Sequence, residues 1–312
     1  MMYVMLIAGF VLLIKGADFF VEGSSSVAKK LSIPPLIIGM TIVAMGTSLP
    51  ETSVSVTASL AGANDLSISN AVGSNIFNLL VVAGTCALFH PLPVHPDSIK
   101  RDFPFSVIAS AILLAFGFFT DSISRIAGAV LLAVFAFFLY TMISNALKAR
   151  KNGAASAEDE EIKLLPGWQC TIYIIGGIIA IAGGGKMVVE GASDIAKSFG
   201  MSDNLIGMTI VALGTSLPEL VTSLVAAKKN ETDMALGNVI GSNVFNILLV
   251  LGIAAVISPI GFTTQNCIDT IFLIAVSLLV FFFCLPKKKI VRWHGLSMVA
   301  PYAGYTVYLF IR

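Results

Sequence analysis

One thirteen-residue segment occurs twice in this 312-residue chain. Residues Gly39–Glu51 read GMTIVAMGTSLPE and residues Gly207–Glu219 read GMTIVALGTSLPE, so twelve of thirteen positions are identical at an offset of 168 residues. Each copy brings a glutamate, a proline and a Gly-Thr-Ser run into an otherwise apolar stretch. Such repetition is typical of a chain built from two copies of one structural unit. The matching polar residues predict an ion site where the two halves meet.

The duplication extends well beyond this segment. Residues 70–78 match residues 238–246, and residues 21–23 match residues 189–191, all at the same offset and without a gap. The matched positions hold polar residues, glycine and proline, which an apolar composition does not favour by chance. We therefore interpret the two halves as an internal duplication.

The composition indicates an integral membrane protein. Hydrophobic residues make up 56% of the chain, charged residues make up only 12%, and the mean hydropathy is +0.91. A soluble domain of this size carries about twice that share of charge. We predict an all-α membrane fold of ten transmembrane helices, five in each half, with each apolar segment near the length that spans a bilayer. The predicted segments are residues 2–22, 36–60, 66–89, 104–119, 125–146, 168–190, 204–227, 234–258, 268–284 and 293–311.

The distribution of basic residues predicts the topology. Fourteen lysines and arginines fall on one side of the predicted membrane, against three on the other, namely Arg125, Lys197 and Arg312. The first side is therefore predicted to be cytoplasmic, with both termini outside. Because five helices is an odd number, the second half is expected to cross the membrane in the opposite sense to the first.

These features predict three regions. A first five-helix repeat covers residues 1–148, and a second, inverted repeat covers residues 167–312. Residues 149–166 are predicted to form a flexible cytoplasmic linker. Its acidic run, Glu158–Glu161, lacks the spaced ligand pattern of an EF-hand, so we interpret it as solvated charge.

Two glutamates lie inside the predicted membrane helices. Glu51 and Glu219 have no lysine or arginine within one helical turn. A carboxylate at this depth is costly unless it is paired, solvated or bound to a cation, and such residues are usually functional. The alternative is a protonated glutamate that is hydrogen-bonded to a neighbouring helix.

A proline precedes each of these glutamates. Pro50 and Pro218 lack an N–H group, so the carbonyl groups of Gly46 and Gly214 are expected to lose their helical partners. The neighbouring carbonyls at 44–45 and 212–213 are expected to be disturbed as well. Carbonyl groups freed at this depth are tolerated where they line a cavity or meet a cation.

The polar residues around the glutamates all carry oxygen. Thr47 and Glu51 are spaced i, i+4 and share a helix face. The candidate set is Thr47, Ser48, Glu51, Ser74 and Asn78 in the first half, and Thr215, Ser216, Glu219, Ser242 and Asn246 in the second. Oxygen ligands suit hard cations such as Ca²⁺ and Na⁺, and the set contains no histidine or cysteine, which argues against zinc or copper.

Some of these polar residues have a structural alternative. Ser74 and Ser242 are either ion ligands or interhelical contacts, whereas Asn75 and Asn243 are interpreted as interhelical contacts. Charged residues at the ends of the first and sixth predicted helices are interpreted as interfacial charges or inter-helix pairs rather than ligands: Lys15, Asp18, Glu22, Lys186 and Glu190.

Two carboxylates carry a total charge of −2. One Ca²⁺, two Na⁺ or two protons neutralise that charge, so these cations compete for the same site. A site that is costly to move empty and less costly to move when filled is the physical basis of exchange.

The chain resembles the sodium/calcium exchanger family of the calcium/cation antiporter superfamily, and in particular its short prokaryotic members. The similarity spans the whole chain and is carried by the paired GTSLPE and GSN-x-F-N motifs. The resemblance implies four ion positions at the centre of helices 2, 3, 7 and 8. It implies that Ca²⁺ is held by Glu51, Glu219, Thr47 and Thr215. It implies Na⁺ positions at Ser48, Ser216, Ser74, Ser242 and the carbonyls of Ala44 and Ala212, with Asn78 and Asn246 at the remaining central polar sites.

One departure from the family concerns Asn246, where some members carry aspartate. The family's usual exchange of three Na⁺ for one Ca²⁺ would leave the Na⁺-loaded site of this chain at +1. The resemblance also implies that helices 1 and 6 slide across a rigid core. Gly16 and the run Gly183–Gly185 are expected to ease that sliding.

We predict a secondary active antiporter that moves Ca²⁺ outward and Na⁺ inward, electrogenically, across a prokaryotic cytoplasmic membrane. The ions are transported substrates, and no further cofactor or nucleic-acid partner is expected. A site formed within one chain needs no partner subunit, which favours a monomer. The same fold with H⁺ or K⁺ as counter-ion remains open, and a cation channel is a further alternative. The sequence contains no GxSxG or HExxH motif, which argues against an enzyme.

Overall fold

The computed structural model describes residues 1–151, 164–201, 206 and 210–311. Most of the predicted linker, including Glu158–Glu161, lies outside the described residues, as do Arg312 and residues 207–209 of the second repeated segment. Within the described ranges the elements are helices and four two-residue strands.

Each half of the chain contains long helices together with short helical pieces. The first half comprises α1 (Met2–Leu31), α2 (Pro35–Ile38), α3 (Ala44–Thr47), α4 (Leu49–Leu60), α5 (Asn64–Phe77), α6 (Ala83–Phe89), α7 (Phe103–Thr120) and α8 (Arg125–Lys151). The described part of the second half comprises α9 (Gly167–Ser198), α10 (Ala212–Gly214), α11 (Leu217–Lys228), α12 (Thr232–Val244), α13 (Leu251–Ile257), α14 (Thr264–Cys284) and α15 (Arg292–Ile311). Wider π-helical turns join or precede several of these helices, at Gly39–Val43, Asn78–Val82, Ser98–Asp102 and Phe245–Val250.

The all-helical membrane fold predicted from composition is confirmed. Seven helical spans in the described part of the chain are long and apolar enough to cross a membrane: Met2–Leu31, Asn64–Phe89, Ser98–Thr120, Arg125–Lys151, Gly167–Ser198, Thr232–Ile257 and Thr264–Cys284. The pair Pro35–Thr47 and Leu49–Leu60, bent by 49°, gives an eighth if it is counted as one span. Of the other predicted segments, 204–227 lies partly outside the described residues and 293–311 forms α15.

Several helices extend beyond their apolar segments. Helix α1 continues to Leu31 with Lys29 and Lys30 in its last turn, and α8 continues to Lys151, past the predicted boundary at residue 148. Basic side chains near a helix C-terminus interact favourably with the helix dipole. Hydropathy therefore marks the part of a helix that lies in lipid, while the helix itself continues into the polar region.

Two spans form the centre of the molecule. In their most apolar stretches, Asn64–Phe89 and Thr232–Ile257 are 72% and 78% buried, whereas the other five long spans are 28–39% buried. These two central spans carry the repeated Gly-Ser-Asn motifs. The outer helices present large apolar side chains at the protein surface, as expected where lipid is the solvent.

The short strands pair the two halves with each other. Leu92–Pro93 pairs with Lys289–Ile290, and Ser122–Ile123 pairs with Ile260–Gly261, both antiparallel. In each pair, one strand belongs to the first half of the chain and the other to the second half. Backbone hydrogen bonds between loops thus fix one half against the other at both places.

Helices α1 and α9 pack through glycines spaced seven residues apart. The glycines are Gly9, Gly16 and Gly23 on α1 and Gly177, Gly184 and Gly191 on α9, and they correspond at the repeat offset. A Cβ atom on Gly184 would lie 2.7 Å from the carbonyl oxygen of Gly9, and one on Gly177 would lie 2.9 Å from that of Gly16. Glycine is therefore required for the backbones to approach so closely. We call this contact the glycine seam.

The seam changes the interpretation of the glycines that were expected to ease sliding. Gly16 and Gly184 bring α1 and α9 against each other rather than against the core. A Cβ atom on Gly183 would contact nothing within 4 Å, and one on Gly185 would make an ordinary contact with Pro218 at 3.6 Å. These two glycines therefore serve the contact between α1 and α9, and the sliding of this pair stays a prediction.

Two charged residues of α1, Asp18 and Glu22, form an inter-helix pair, which is one of the two interpretations that the sequence left open. Lys229 Nζ lies 2.6 Å from Asp18 Oδ1 and 3.8 Å from Glu22 Oε2, and it also donates to the carbonyl oxygen of Asp18. Lys186 and Glu190 pair along one face of α9 at 3.8 Å. These carboxylates are partly exposed and lie apart from the buried glutamates.

Adjacent glycines in α9 allow a matched test of the seam. We expect Gly184→Ala to destabilise the protein by about 1–3 kcal/mol, because the new methyl group overlaps the backbone of α1. Gly183→Ala adds the same methyl group in open space and is expected to be neutral or stabilising by up to about 1 kcal/mol. Thermal unfolding of the purified proteins in detergent measures both. Equal effects of the two substitutions would contradict the seam.

Candidate ion-binding site

Each repeated segment contains a break in a helix immediately before the glutamate. Ser48 separates α3 from α4 with φ −84° and ψ 11°, and Ser216 precedes α11 with φ −93° and ψ 4°. Pro50 and Pro218 each occupy the second residue of the following helix. Proline is well tolerated there, because the N–H groups of a first helical turn have no partner within the helix. The two breaks place both glutamates in the first turn of a helix.

The predicted loosening of the carbonyl groups is only partly seen. The Ala44 carbonyl accepts a hydrogen bond from the Ser48 N–H at 3.0 Å, so it keeps a backbone partner. In the second half the Leu213 carbonyl accepts from the Ser216 N–H at 3.2 Å. The first bond has the i to i−4 spacing of a regular α-helix and the second the i to i−3 spacing of a tighter turn, and both end before the proline. Ala212 belongs to the short helix α10, but its side chain lies outside the described residues.

The two halves exchange hydrogen bonds at the glutamates. Ser48 Oγ donates to Glu219 Oε1 at 2.9 Å, and Ser216 Oγ donates to Glu51 Oε1 at 3.0 Å. Both carboxyl groups are completely buried. Each serine therefore supports the glutamate of the other repeat, which fixes the two helix breaks side by side.

The serines of the central helices differ from each other. Ser74 Oγ lies 3.4 Å from Glu51 Oε1 and 2.9 Å from Ser216 Oγ, so it joins the first glutamate. Ser242, its equivalent, is completely buried and lies near the Glu219 carboxyl group, but its hydroxyl makes no hydrogen bond of good geometry among the described residues. The two sides of the site are therefore not identical in this conformation.

Four asparagines join the central helices. Asn75 Nδ2 donates to the Asn243 carbonyl at 3.0 Å, and Asn243 Nδ2 lies 3.4 Å from the Asn75 carbonyl. Asn78 Nδ2 donates to Asn243 Oδ1 at 3.3 Å, and Asn246 Nδ2 donates to Asn75 Oδ1 at 3.1 Å. Asn75 and Asn243 thus make the interhelical contacts that the sequence predicts for them. They also orient Asn78 and Asn246, whose amide nitrogens are held by the neighbouring helix.

Several buried oxygen atoms at this junction have no hydrogen-bond partner among the described residues. They are Glu51 Oε2, Glu219 Oε2, Asn78 Oδ1, Asn246 Oδ1 and Ser242 Oγ. All five residues are among the predicted ion ligands. Buried polar atoms are normally satisfied, and oxygen atoms of this kind are the ligands that hard cations prefer. The donor set therefore fits a Ca²⁺ or Na⁺ substrate.

Thr47 and Thr215 contact residues that the sequence analysis did not single out. Thr47 Oγ1 lies 3.1 Å from Asn238 Oδ1, and Thr215 Oγ1 lies 3.4 Å from Asn70 Oδ1. Thr47 Oγ1 also lies within hydrogen-bond distance of the carbonyls of Val43 and Ala44. The two asparagines match at the repeat offset, which was the one sequence signal that pointed to them.

The structure therefore brings most of the predicted site residues into one buried region, at whose edge Thr215 is only partly buried. Ser48, Ser216 and Ser74 bond directly to the glutamates, and the paired asparagines connect the central helices beside them. Their action as ion ligands stays a prediction. Among the described residues there is no cluster of three histidine, cysteine or acidic side chains, and the four cysteines are free.

Two buried carboxylates at the junction of two repeated halves define a class of protein, the multi-pass membrane transporters of cations. Comparison with known proteins specifies the family. The sequence model described as sodium/calcium exchanger protein matches residues 1–144 and 170–311. The chain belongs to the sodium/calcium exchanger family, and it is a membrane transporter rather than an enzyme.

Individual relatives match over most of their length. The sodium/calcium exchanger MaX1 of Methanosarcina acetivorans is 32% identical over 99% of this chain and 98% of its own. The inner membrane protein YrbG of Escherichia coli is 39% identical over 82% of this chain and 79% of its own. A solved structure of the sodium-calcium exchanger NCX_Mj, soaked without Na⁺ and Ca²⁺, has a TM-score of 0.86 and 33% identity over 99% of this chain and 98% of that one.

The exchanged serine bonds give a test of the site. We expect Ser216→Ala to raise the Ca²⁺ concentration needed for half-maximal ion-induced thermal stabilisation by about tenfold or more. It removes a hydrogen bond to a buried carboxylate, and such bonds contribute about 1.5–3 kcal/mol. Ser110→Ala is the matched control, because Ser110 is a buried serine that donates to a carbonyl within α7. A comparable shift in both variants would contradict a specific role for Ser216.

Proposed function

We propose that this protein is a secondary active antiporter that exchanges Na⁺ for Ca²⁺ across the membrane by alternating access. The observation that carries the proposal is the pair of buried glutamates, each supported by a serine of the other repeat and each keeping one oxygen without a hydrogen-bond partner among the described residues. Membership of the family and the names of the relatives MaX1 and NCX_Mj support the choice of ions.

The charge of the site supports exchange. Two carboxylates at −2 are neutralised by one Ca²⁺ or by two Na⁺, so binding of one ion opposes binding of the other. Asn246 adds an amide oxygen but no charge. Moving the site across a low-dielectric barrier is least costly when its charge is neutralised. Competition for the same two charges then couples the fluxes of the two ions.

The ligand assignment we propose follows the motifs. Ca²⁺ binds between Glu51 and Glu219 with oxygen atoms of Thr47 and Thr215. Na⁺ ions use oxygen atoms from the serines and from backbone carbonyls, with the two remaining asparagines at the centre: Ser48, Ser216, Ser74, Ser242, Ala44, Ala212, Asn78 and Asn246. The unpartnered oxygens of Ser242, Asn78 and Asn246 support this assignment.

We propose ten transmembrane helices in two inverted repeats, residues 1–148 and 167–312, joined by the linker at 149–166. The reciprocal contacts between equivalent residues support a twofold relation between the halves. The distribution of positive charges supports an orientation with both termini outside. The name of YrbG and the charge bias support an inner-membrane location, and a site formed within one chain supports a monomer.

The glycine seam supports a particular form of alternating access. Because α1 and α9 approach through backbone atoms, they would move together across the helix breaks as one unit. The counter-ion could instead be H⁺ or K⁺ in the same fold. Channel activity is less consistent with a paired site inside one chain, because channels usually place selectivity rings on an axis between subunits.

The first test is uptake of ⁴⁵Ca²⁺ into proteoliposomes loaded with Na⁺ and diluted into Na⁺-free buffer. We expect uptake that requires internal Na⁺ and is abolished in Glu51→Gln and in Glu219→Gln, because each change removes one of the two site charges. Glu190→Gln is the control, since this glutamate is half-exposed and pairs with Lys186 on α9. Uptake that is driven by a pH gradient and does not depend on Na⁺ would contradict the proposal and identify H⁺ as the counter-ion.

The pH dependence of the same assay provides a further prediction. Protons and cations compete for the glutamate oxygens, so acidification removes site charge and reduces Ca²⁺ uptake at subsaturating Ca²⁺. We expect a higher Ca²⁺ concentration to restore the rate, because the competition is for one site. Initial rates measured over a pH series at two Ca²⁺ concentrations distinguish competition from inactivation, which added Ca²⁺ would not reverse.

A further inference from the structure

Two hydrogen-bonded chains link the helix breaks to the central helices. In one chain Asn238 Nδ2 donates to Ser223 Oγ at 2.9 Å, while Asn238 Oδ1 lies 3.1 Å from Thr47 Oγ1. In the other, Asn70 Nδ2 donates to Ser55 Oγ at 3.0 Å, while Asn70 Oδ1 lies 3.4 Å from Thr215 Oγ1. The same three residue types thus meet in the same order in both halves.

Each chain crosses between the repeats. Asn238 and Ser223 belong to the second half, whereas Thr47 belongs to the first. The second chain reverses this arrangement. Each asparagine therefore bonds a serine of its own repeat through its amide nitrogen and a threonine of the other repeat through its amide oxygen. This division of donor and acceptor fixes the direction of the amide group.

The two threonines lie at the breaks between helices. Thr47 is the last residue of α3, and the next residue, Ser48, has non-helical backbone angles. A residue at such a break depends on contacts with other helices for its position. Thr47, Asn238 and Ser223 are all completely buried, so their bonds do not compete with water. Thr47 Oγ1 also approaches the carbonyls of Val43 and Ala44, but these belong to its own helical segment. Asn238 is therefore the partner that fixes this threonine relative to the other repeat.

We propose that Asn238 and Asn70 are positioning residues that hold Thr47 and Thr215 at the two helix breaks and so set the ion affinity of the site. The proposal rests on the proposed function, in which both threonines supply oxygen atoms to the ions. The asparagines act through the threonines and do not themselves bind the ion. Serines 223 and 55 orient the amides.

The two asparagines differ in their other hydrogen bonds and in their burial. Asn70 Nδ2 has a second acceptor, the Glu51 carbonyl at 3.2 Å, and this residue is only partly buried. Asn238 is completely buried, and its contact with the threonine is shorter. The first test therefore uses Asn238.

The test combines Asn238→Ala with Thr47→Val, singly and together. We expect Asn238→Ala to raise the Ca²⁺ concentration for half-maximal uptake by about three- to tenfold, the effect of losing one neutral buried hydrogen bond. Thr47→Val is expected to raise it at least as much, because this change also removes a proposed ion ligand. The double variant is expected to need no higher Ca²⁺ concentration for half-maximal uptake than the weaker-binding single variant, because both changes break the same bond. Independent, multiplying effects would overturn the proposal.

A matched control comes from the same helix as Asn70. Asn64 Nδ2 also donates across the halves, to Ser258 Oγ at 2.9 Å, but at the start of α5. Asn64→Ala is expected to leave the half-maximal Ca²⁺ concentration within twofold of the unchanged protein. A shift equal to that of Asn238→Ala would reduce Asn238 to a general structural role.

Two further measurements keep the outcomes separable. If Asn238→Ala fails to fold, Thr47→Ser and Thr47→Val test the contact from the other side, and we expect serine to preserve affinity and valine to lower it. Equal losses for serine and valine would overturn the proposal.

If the unchanged protein shows no Na⁺-dependent Ca²⁺ uptake, the proposed function fails. Ion-induced thermal stabilisation by Na⁺ and by Ca²⁺ alone then still measures the Asn238–Thr47 coupling.

Discussion

The exchange of hydrogen bonds between Ser48 and Glu219, and between Ser216 and Glu51, is the interaction on which the architecture depends. Two carboxyl groups at the centre of a membrane protein need strong local partners. Here each repeat supplies the partner for the glutamate of the other. The helix breaks, the prolines and the packing of the central spans all serve to bring these four side chains together.

The contacts within the central spans differ in kind from the contacts that α1 and α9 make. The central spans are held by asparagine bonds that run from one half to the other, whereas α1 and α9 contact each other through glycine backbone. Lys229 joins α1 to the end of α11 through a partly exposed ion pair. Water and salt weaken this ion pair more readily than the buried bonds of the centre. Apolar side chains such as Phe20 and Ile178 also pack against Gly46 at the first helix break.

The sequence predicted a large part of this arrangement. The repeat, the membrane class and the paired oxygen ligands are visible because glutamate, proline and Gly-Thr-Ser are rare inside apolar segments. The crossing of Ser48 to Glu219 was not predictable, because the linear order does not say which helix faces which. The contacts of Asn70 and Asn238 with the threonines and the glycine seam were missed for the same reason. The retained bond of the Ala44 carbonyl was missed because its donor is the Ser48 N–H, which precedes the proline.

The reciprocal serine bonds also limit how such a chain could have arisen. One repeat alone offers no serine from another copy to its own buried glutamate. A single-repeat precursor would have needed a second molecule, with the two glutamates meeting at their interface. Pairing of two such molecules, followed by fusion of the two copies, satisfies that requirement. In such an ancestor, the buried carboxyl pair and the subunit interface were the same structure.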